Sequence, residues 1–309
     1  MKPVEVYILS GFLGAGKTTL LQTILTQEKQ QDRKIAVIMN ELGEVSIDSN
    51  AVPKETPLME LLNGCVCCTI QGQLEVQLEN MLKDYELDAI YIETTGVAHP
   101  IEVLDACMSP LFADKLAVQA IVTIIDSKRW QDRSHLSIQL RKLLVEQVQH
   151  ADIVLLNKID SLTESEKATI VSEIQAINNH GRLLMTEYAN IPLAQLQPKQ
   201  RMKRKQHEEA HVHHTLHMRT YVHTFSKSIN LDRFEQFLRD MPDTIYRIKG
   251  YLSFTHSKDT YLFQYSYGMP LYLKEQLKMK QTLVFIGENL DHEMLKRKLL
   301  LLEEDIDQN

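Results

Sequence analysis

A glycine-rich segment near the amino terminus carries residues that could bind a nucleotide through its phosphates. The segment contributes Gly11, Gly14, Ala15, Gly16, Lys17, Thr18 and Thr19, directly after an apolar run and at the start of a helical pattern. Glycines let the backbone curl so that successive N–H groups point at phosphate oxygens. Lys17 would face the β- and γ-phosphates, Thr18 would offer its hydroxyl to Mg²⁺, and Thr19 would lie near the α-phosphate. We therefore predict a nucleoside triphosphate site, since a glycine-rich turn would match this pattern by chance in about one chain in a hundred.

A second polar segment, Asn157-Lys158-Ile159-Asp160, follows an apolar run that is typical of a buried strand. Ligands bind beyond the carboxyl ends of the strands in open parallel sheets. The Asp160 carboxylate could accept hydrogen bonds from N1–H and the 2-amino group of guanine, while the stem of Lys158 covers the ring. A polar loop that only caps the strand is the alternative, but the order after a phosphate loop favours recognition of GTP.

Another strand-like run ends at Glu93 and is followed within three residues by Gly96. A phosphate-loop enzyme needs a Mg²⁺-linked acid and a γ-phosphate sensor at such a position. Lys17, Thr18 and Glu93 are therefore the predicted catalytic residues, with Thr18 and Glu93 as Mg²⁺ ligands. No Arg or Gln is obviously placed to stabilise charge or to orient water, so hydrolysis should be slow without a client or metal.

Three cysteines, Cys65, Cys67 and Cys68, fall within four positions of one another. So few cysteines in so long a chain cannot form a disulfide framework. Thiolates are natural ligands of Zn²⁺ and Cu⁺, and three of them leave a fourth position for a carboxylate, a histidine or water. Glu41 or Glu44 could supply that oxygen, although this pair could instead position Mg²⁺ or the attacking water. Redox sensing is the main competing role for the thiols.

Three further residues have weaker signals. Thr69 directly follows the cysteines and could link the metal and nucleotide sites by reaching towards the γ-phosphate. His99 is a weaker metal candidate, and a surface or hydrogen-bonded histidine is the better interpretation. Cys107 is isolated in the sequence, so we expect it to be a small buried hydrophobic residue.

Composition indicates a soluble globular protein. The chain of 309 residues is 44% hydrophobic and 24% charged, with 34 basic and 41 acidic residues and a net charge of -7. An acidic balance argues against wrapping nucleic acid or an anionic membrane, and no run approaches the roughly 18 apolar residues that a membrane helix needs. We expect a cytoplasmic protein with neither nucleic acid nor a membrane as its partner.

The elements that must position these residues have the pattern of an α/β domain over residues 1–195. Short apolar runs alternate with helical periods, which predicts a parallel sheet covered by helices. Together with the phosphate loop and the guanine segment, this indicates a parallel-sheet P-loop GTPase domain. The predicted strands are Glu5–Leu9, Lys34–Met39, Ala89–Glu93, Gln119–Asp126 and Asp152–Leu156. Leucines and a valine at helical spacing predict a packing helix through Leu136, Leu140, Leu143, Leu144 and Val148, and a second packing helix should begin at Lys17.

Residues 196–217 form a predicted basic and His-rich linker, and residues 218–309 a smaller α+β domain. The histidines of the linker are His207, His211, His213, His214 and His217. Weak metal binding remains open for them, as does a place at the start of a strand for His213 and His217. The carboxy-terminal domain should contain strands Thr220–Phe225, Tyr246–Phe254, Tyr261–Tyr267 and Leu283–Gly287, with helices Leu231–Arg239 and Asp291–Leu302.

Taken in order, these motifs resemble the CobW family of metal-handling GTPases. The resemblance is carried by Gly11 to Thr19, Asn40 to Glu44, Gly64 to Thr69, Glu93 to Gly96, Asn157 to Asp160 and, in the carboxy-terminal domain, Tyr246 to Gly250. Members of the family with the Cys-x-Cys-Cys motif bind Zn²⁺ through it and are thought to deliver metal to client enzymes. The resemblance thus implies GTP or GDP, Mg²⁺ and Zn²⁺ as ligands and a client metalloprotein as partner.

The sequence therefore predicts a GTP-hydrolysing metal chaperone. GTP with Mg²⁺ would set the cysteine site in one geometry, and hydrolysis would change its metal affinity. A GTP-binding sensor of zinc or thiol redox state with negligible turnover is the alternative. A small-molecule kinase on the same loop is disfavoured by the guanine motif.

Overall fold

The chain folds into two compact units. The computed structural model describes residues 2–41, 56–62, 70–196, 218–242, 244–266, 269–275, 277–288 and 290–304. One unit contains Met1–Cys107 and Asp114–His217, and the other contains Met108–Ala113 and Met218–Asn309. The short segment Met108–Ala113 therefore belongs with the carboxy-terminal unit, although its neighbours in sequence belong to the first.

The first unit is an open sheet whose strands are joined by helices. Its strands are β1 (Val4–Ser10), β2 (Ile35–Glu41), β3 (Leu58–Leu62), β4 (Ala89–Glu93), β5 (Leu116–Asp126), β6 (Ile153–Asn157) and β7 (Arg182–Met185). Its helices are α1 (Lys17–Gln30), α2 (Ile70–Asp84), α3 (Pro100–Cys107), α4 (Ser127–Gln131), α5 (Ile138–Gln149) and α6 (Glu164–Ile177). These strands pair in parallel in the order β3-β2-β4-β1-β5-β6-β7, which confirms the predicted α/β class.

Burial on both faces explains why apolar runs marked the central strands. On one face Tyr7, Leu9 and Tyr91 pack in the same buried cluster as Leu20 and Ile24 of α1. A helix that covers a parallel sheet must present such an apolar face, because the sheet has no solvated side. The covering helices leave the carboxyl ends of the strands as the edge at which a ligand can bind.

Three features of this unit differ from the sequence prediction. The strands β3 and β7 were not predicted, because Leu58–Leu62 is built of good helix formers and Arg182–Met185 is short. Leu136 lies outside α5, which begins after Ser137, whose hydroxyl accepts a hydrogen bond from the backbone N–H of Leu140. The helix therefore starts later than its apolar spacing indicated.

The second unit is an antiparallel sheet packed on two helices. Its strands are β8 (Met218–Thr224), β9 (Ile245–Ser253), β10 (Thr260–Ser266), β11 (Met269–Glu275) and β12 (Thr282–Glu288), and its helices are α7 (Leu231–Arg239) and α8 (His292–Glu304). The strand order is β11-β10-β9-β12-β8. Phe234 of α7 and Leu299 of α8 share one buried cluster with Phe263 and Phe285 of the sheet. This confirms the α+β prediction, although the edge strand β11 was missed.

Within the described ranges, no helix combines the length and the apolar composition that a bilayer crossing needs.

Candidate functional site

The phosphate loop joins β1 to α1 and depends on glycine. Gly14 and Gly16 have φ values of 73° and 111°, in the left-handed region that side chains rarely adopt. A Cβ built on Gly16 would lie 2.7 Å from Nδ2 of Asn157, so any side chain there would separate the loop from β6. Helix α1 has no side-chain cap at its amino terminus, which leaves its first N–H groups directed towards the loop.

Lys17 and Thr19 occupy different environments in the first turn of α1. The ammonium group of Lys17 donates to the carbonyl oxygens of Gly11 at 2.9 Å and Phe12 at 3.3 Å. Only 7% of Lys17 is exposed, so its positive charge is held against the loop backbone. Thr19 is exposed at the same end of the helix.

Thr18 and Glu93 meet at the carboxyl edge of the sheet. The Thr18 hydroxyl donates to Oε1 of Glu93 at 2.9 Å, although the two residues are 75 positions apart. The strand register explains the contact, because β1 and β4 are neighbours with Leu9 opposite Glu93. A hydroxyl and a carboxylate are the hard oxygen donors that Mg²⁺ prefers, so the pair fits the predicted magnesium ligands.

Asn157 connects two loops at the end of β6. Its Nδ2 donates to the carbonyl oxygen of Ala15 at 2.9 Å, and its Oδ1 accepts the backbone N–H of Ala189 at 3.0 Å. The side chain is 2% exposed. Asn157 therefore fixes the phosphate loop relative to the turn that follows β7, and its role in the predicted guanine motif includes this positioning.

Lys158 spans from the guanine motif to the phosphate loop. Its ammonium group donates to the carbonyl of Gly14 at 2.8 Å and to Oδ2 of Asp126 at 2.6 Å. Burial opposes ionisation of Asp126, but the hydrogen bonds from Lys158 and from the backbone N–H of Arg129 outweigh it and lower the pKa of Asp126. Asp160 lies exposed in the turn that begins directly after Lys158. The stem of Lys158 and the Asp160 carboxylate thus lie on the same short turn, as guanine recognition requires.

The turn over residues 186–190 is a part of this site that the sequence interpretation missed. Tyr188 and Ala189 have φ values of 54° and 53°, which is rare for residues other than glycine. The Thr186 hydroxyl donates to the carbonyl of Asn190 at 2.9 Å and closes the turn. Polar turn residues after the apolar run of β7 were the available signal, since β7 ends at the same edge of the sheet as β6.

The predicted zinc ligands lie outside the described residues. This applies to Cys65, Cys67, Cys68, Glu44 and the side chain of Glu41. The histidines from His207 to His217 and Thr69, the predicted link to the γ-phosphate, lie outside the described residues too. In the part of the chain that the structure does describe, no group of three or more His, Cys, Asp or Glu residues could hold a metal ion.

The backbone that flanks the cysteine segment is described. Glu41 at the end of β2 pairs with Leu62 at the end of β3, and Met39 of β2 pairs with Glu93 of β4. Strands β2, β3 and β4 therefore end side by side at the edge that carries the Thr18–Glu93 contact. Cys65 follows Leu62 by three positions in the sequence.

His99 and Cys107 have the structural environments expected of non-ligands. Nδ1 of His99 accepts the backbone N–H of Ile101 at 3.3 Å, and its Nε2 lies 3.5 Å from a carboxylate oxygen of Glu146. Cys107 is buried, and burial raises the pKa of its thiol. Neither residue needs a metal to satisfy its surroundings.

Comparison with known proteins is decisive about the family. Residues 5–185 match the nucleotide-binding domain of CobW/HypB/UreG, and residues 218–302 match the C-terminal domain of the cobalamin synthesis protein cobW. The chain belongs to the CobW/HypB/UreG family. CobW-type relatives include the zinc-regulated GTPase metalloprotein activator 1 of Dictyostelium discoideum, which is 31% identical over 229 residues, 62% of this chain and 48% of the relative. The zinc chaperone YjiA of Escherichia coli is 33% identical over 205 residues, 63% of this chain and 61% of the relative.

Similarity to a solved structure extends the likeness of fold to both units. The crystal structure of the Zn(II)-bound YjiA GTPase from E. coli aligns over 98% of this chain and 99% of that chain, at 24% identity and a TM-score of 0.51. In the sequence comparisons, the chain spans about half to three fifths of the length of the CobW-type relatives it matches.

Proposed function

We propose that the protein is a GTP-hydrolysing metal chaperone. It binds Zn²⁺, or another transition metal, through Cys65, Cys67 and Cys68, and it passes the metal to a client metalloprotein in a nucleotide-dependent way. The observation that carries the proposal is the 2.9 Å hydrogen bond from Thr18 to Glu93, which joins the phosphate loop to a carboxylate at the edge of the sheet. Relatives named as zinc chaperones and as a zinc-regulated GTPase support the metal and the nucleotide.

The residues of the phosphate loop and Glu93 have different roles in hydrolysis. Backbone N–H groups from Gly14 to Thr18 cradle the phosphates, and Lys17 moves its charge from the loop carbonyls to the β- and γ-phosphates. Thr18 and Glu93 would hold Mg²⁺, which when bound neutralises charge on the phosphate oxygens. Water attacks the γ-phosphorus as its bond to the β–γ bridging oxygen breaks, and the products are GDP and inorganic phosphate.

The guanine preference rests on the turn at the end of β6. Asn157 and Lys158 are both tied to the backbone of the phosphate loop, so the base site and the phosphate site are held at a fixed spacing. Asp160 then accepts from N1–H and the 2-amino group of guanine. Adenine lacks that donor pair, so ATP should bind more weakly.

The coupling between nucleotide and metal rests on the neighbouring ends of β2, β3 and β4. These three paired strands end at Glu41, Leu62 and Glu93, at the edge of the sheet where the γ-phosphate would lie. The cysteines follow β3 and precede α2 in the sequence, and Thr69 is adjacent to the first residue of α2. A change at the γ-phosphate can therefore be transmitted to the cysteine segment through the strand ends, and Glu41 or Glu44 can complete the metal site.

Protein purified without a His-tag, with metal analysis and parallel GTP and ATP titrations, tests the proposal. We expect about one Zn²⁺ per chain, as a single three-thiolate site would bind. Bound metal should be lost when Cys65, Cys67 and Cys68 are all changed to Ser. We also expect GTP turnover that disappears in Lys17→Ala while the variant still folds and unfolds cooperatively above the assay temperature.

Three outcomes would contradict parts of the proposal. Equal Kd values for GTP and ATP would reject the guanine assignment, and metal retained by the triple cysteine variant would place the metal site elsewhere. GTP binding with negligible turnover, even with Zn²⁺ present, would favour the alternative of a zinc or thiol-redox sensor.

A further inference from the structure

A buried glutamine on α5 holds the segment that follows the Glu93 strand. Nε2 of Gln147 lies 3.3 Å from the carbonyl oxygen of Gly96 and 3.2 Å from that of Ala98, and donates to both. The side chain is 0% exposed. The neighbouring Glu146 adds a contact from its carboxylate to Nε2 of His99 at 3.5 Å. Helix α5 therefore fixes the backbone from Gly96 to His99 from one side.

The phosphate loop bounds the same segment on its other side. A Cβ built on Gly96 would lie 2.5 Å from the backbone nitrogen of Leu13, closer than side-chain carbons approach other atoms. Gly96 thus sits directly against the loop. A displacement of its carbonyl away from Gln147 would therefore alter the approach of Gly96 to the phosphate loop.

The glutamine is itself anchored to the sheet. The hydroxyl of Thr123 in β5 donates to the backbone carbonyl of Gln147 at 2.8 Å. Helix α5 leads into β6, which ends at Asn157, so the element that holds Gly96 is followed directly by the strand of the base site. A movement of α5 would therefore shift both the Gly96 segment beside the phosphate loop and the strand that leads to the predicted base site.

The hydrogen bonding of Gln147 indicates that its donors, rather than its volume, are what the site uses. Among the described residues, none provides a hydrogen bond to its Oε1, which is buried. A buried amide with an unpaired acceptor is a costly way to fill space, since an apolar side chain of equal size would carry no such penalty.

We propose that Gln147 is a positioning residue for GTP hydrolysis, which sets the distance of Gly96 from the γ-phosphate by holding its carbonyl oxygen. The inference rests on the proposed GTPase function. Gln147 does not touch the nucleotide; it acts through the backbone of Gly96. Loss of its two donors should leave GTP able to bind but poorly aligned for attack, so kcat should fall more than KM rises.

The experiment compares Gln147→Met with Gln149→Met in the whole 309-residue chain. Methionine keeps the length of glutamine and removes both donors and the buried Oε1. The carbonyls of Gly96 and Ala98 lose this partner, so the variant should melt earlier than the parent but remain folded at the assay temperature. Gln149 is exposed on the same helix and serves as the matched control. We expect kcat for GTP to fall about 10- to 100-fold in Gln147→Met, as a misplaced reacting group predicts, with KM within about threefold. The control should match the parent in both constants.

The outcomes separate this inference from the proposed function. A parent protein without GTP turnover refutes the GTPase function and the positioning role with it. Parent turnover with an unchanged kcat in Gln147→Met refutes the positioning role alone, and so does a rise in KM with kcat preserved. If Gln147→Met fails to fold, Gln147→Asn keeps the amide but shortens it by one methylene; the same loss of kcat is expected, and an unchanged kcat overturns the inference.

Discussion

Replacing Asn157 with alanine should weaken the nucleotide site and the fold by separable amounts. The change removes two hydrogen bonds, to the carbonyl of Ala15 at 2.9 Å and from the N–H of Ala189 at 3.0 Å. Both backbone partners belong to residues that are 0% exposed, so each loses its partner in a buried environment. At about 1–2 kcal/mol for each unsatisfied group, the free energy of unfolding should fall by about 2–4 kcal/mol. For a unit of this size, that corresponds to a fall in melting temperature of roughly 5–15 °C.

Asn178→Ala provides a matched control for this loss of stability. Asn178 is 4% exposed and donates to the carbonyls of Val148 and Ala151, while its Oδ1 accepts from Gly181, all without contact to the phosphate loop. Both variants should therefore melt earlier. Only Asn157→Ala should also raise the Kd for GTP, by about tenfold or more, because one lost loop contact of about 1.4 kcal/mol corresponds to a factor of ten.

The assay pairs thermal melts with titrations of a fluorescent GTP analogue at a temperature where both variants are folded. A Kd that stays at the parental value in Asn157→Ala would refute the reasoning that this side chain positions the loop. An equal rise in Kd in the two variants would attribute the effect to general destabilisation instead.

Three further predictions concern the base, the metal and pH. Asp160→Asn should weaken GTP by about tenfold or more while leaving ATP unchanged, as competition titrations would show, because the variant keeps the phosphate contacts and loses the charged acceptor. The GTP and GDP forms of the parent should differ in Zn²⁺ affinity by about 5- to 150-fold, as measured in competition with a chromophoric chelator. Changing Cys67 and Cys68 together to Ser should abolish this difference. Identical affinities in the two nucleotide states of the parent would reject the coupling. Because the pKa of Asp126 is lowered in the folded protein, its carboxylate should stabilise the fold at pH values above 3.8, the ordinary pKa of this group. This stabilisation should be lost as the pH falls through the lower pKa of the folded state. Asp126→Asn should therefore reduce the acid dependence of unfolding midpoints between about pH 5 and pH 2, and an unchanged dependence would show that Lys158 does not stabilise the carboxylate.

The part of the site that could be predicted from the sequence consists of short local motifs. The phosphate loop, the guanine turn and the Glu93 strand each keep their residues within a few positions, so residue type and spacing carry the signal. Parallel strands then bring such segments together, because their carboxyl ends meet at one edge of the sheet. The pairing of Thr18 with Glu93 follows from these two rules.

Other parts of the fold depend on contacts that leave no local pattern. Strand β3 consists of leucine, methionine and glutamate, and only its pairing with β2 makes it extended. Strand β11 is an edge strand whose Met269, Leu271 and Leu273 are exposed, so the usual alternation of buried and polar residues is missing. Backbone pairing with a neighbouring strand overrides intrinsic propensity in β3, and it forms β11 without an alternating pattern.

The sequence by itself determined the α/β and α+β classes and predicted the phosphate loop and the guanine segment, because buried strands and ligand-binding loops impose residue types at short range. The tertiary structure alone decided that Gln147 holds Gly96 and Ala98, from 51 and 49 positions away, and that Asn157 holds Ala189. A glutamine on a helix has the same sequence signature whether it is solvated or buried. Its partners are backbone carbonyls, which every residue has, so only the packed structure distinguishes it from Gln149.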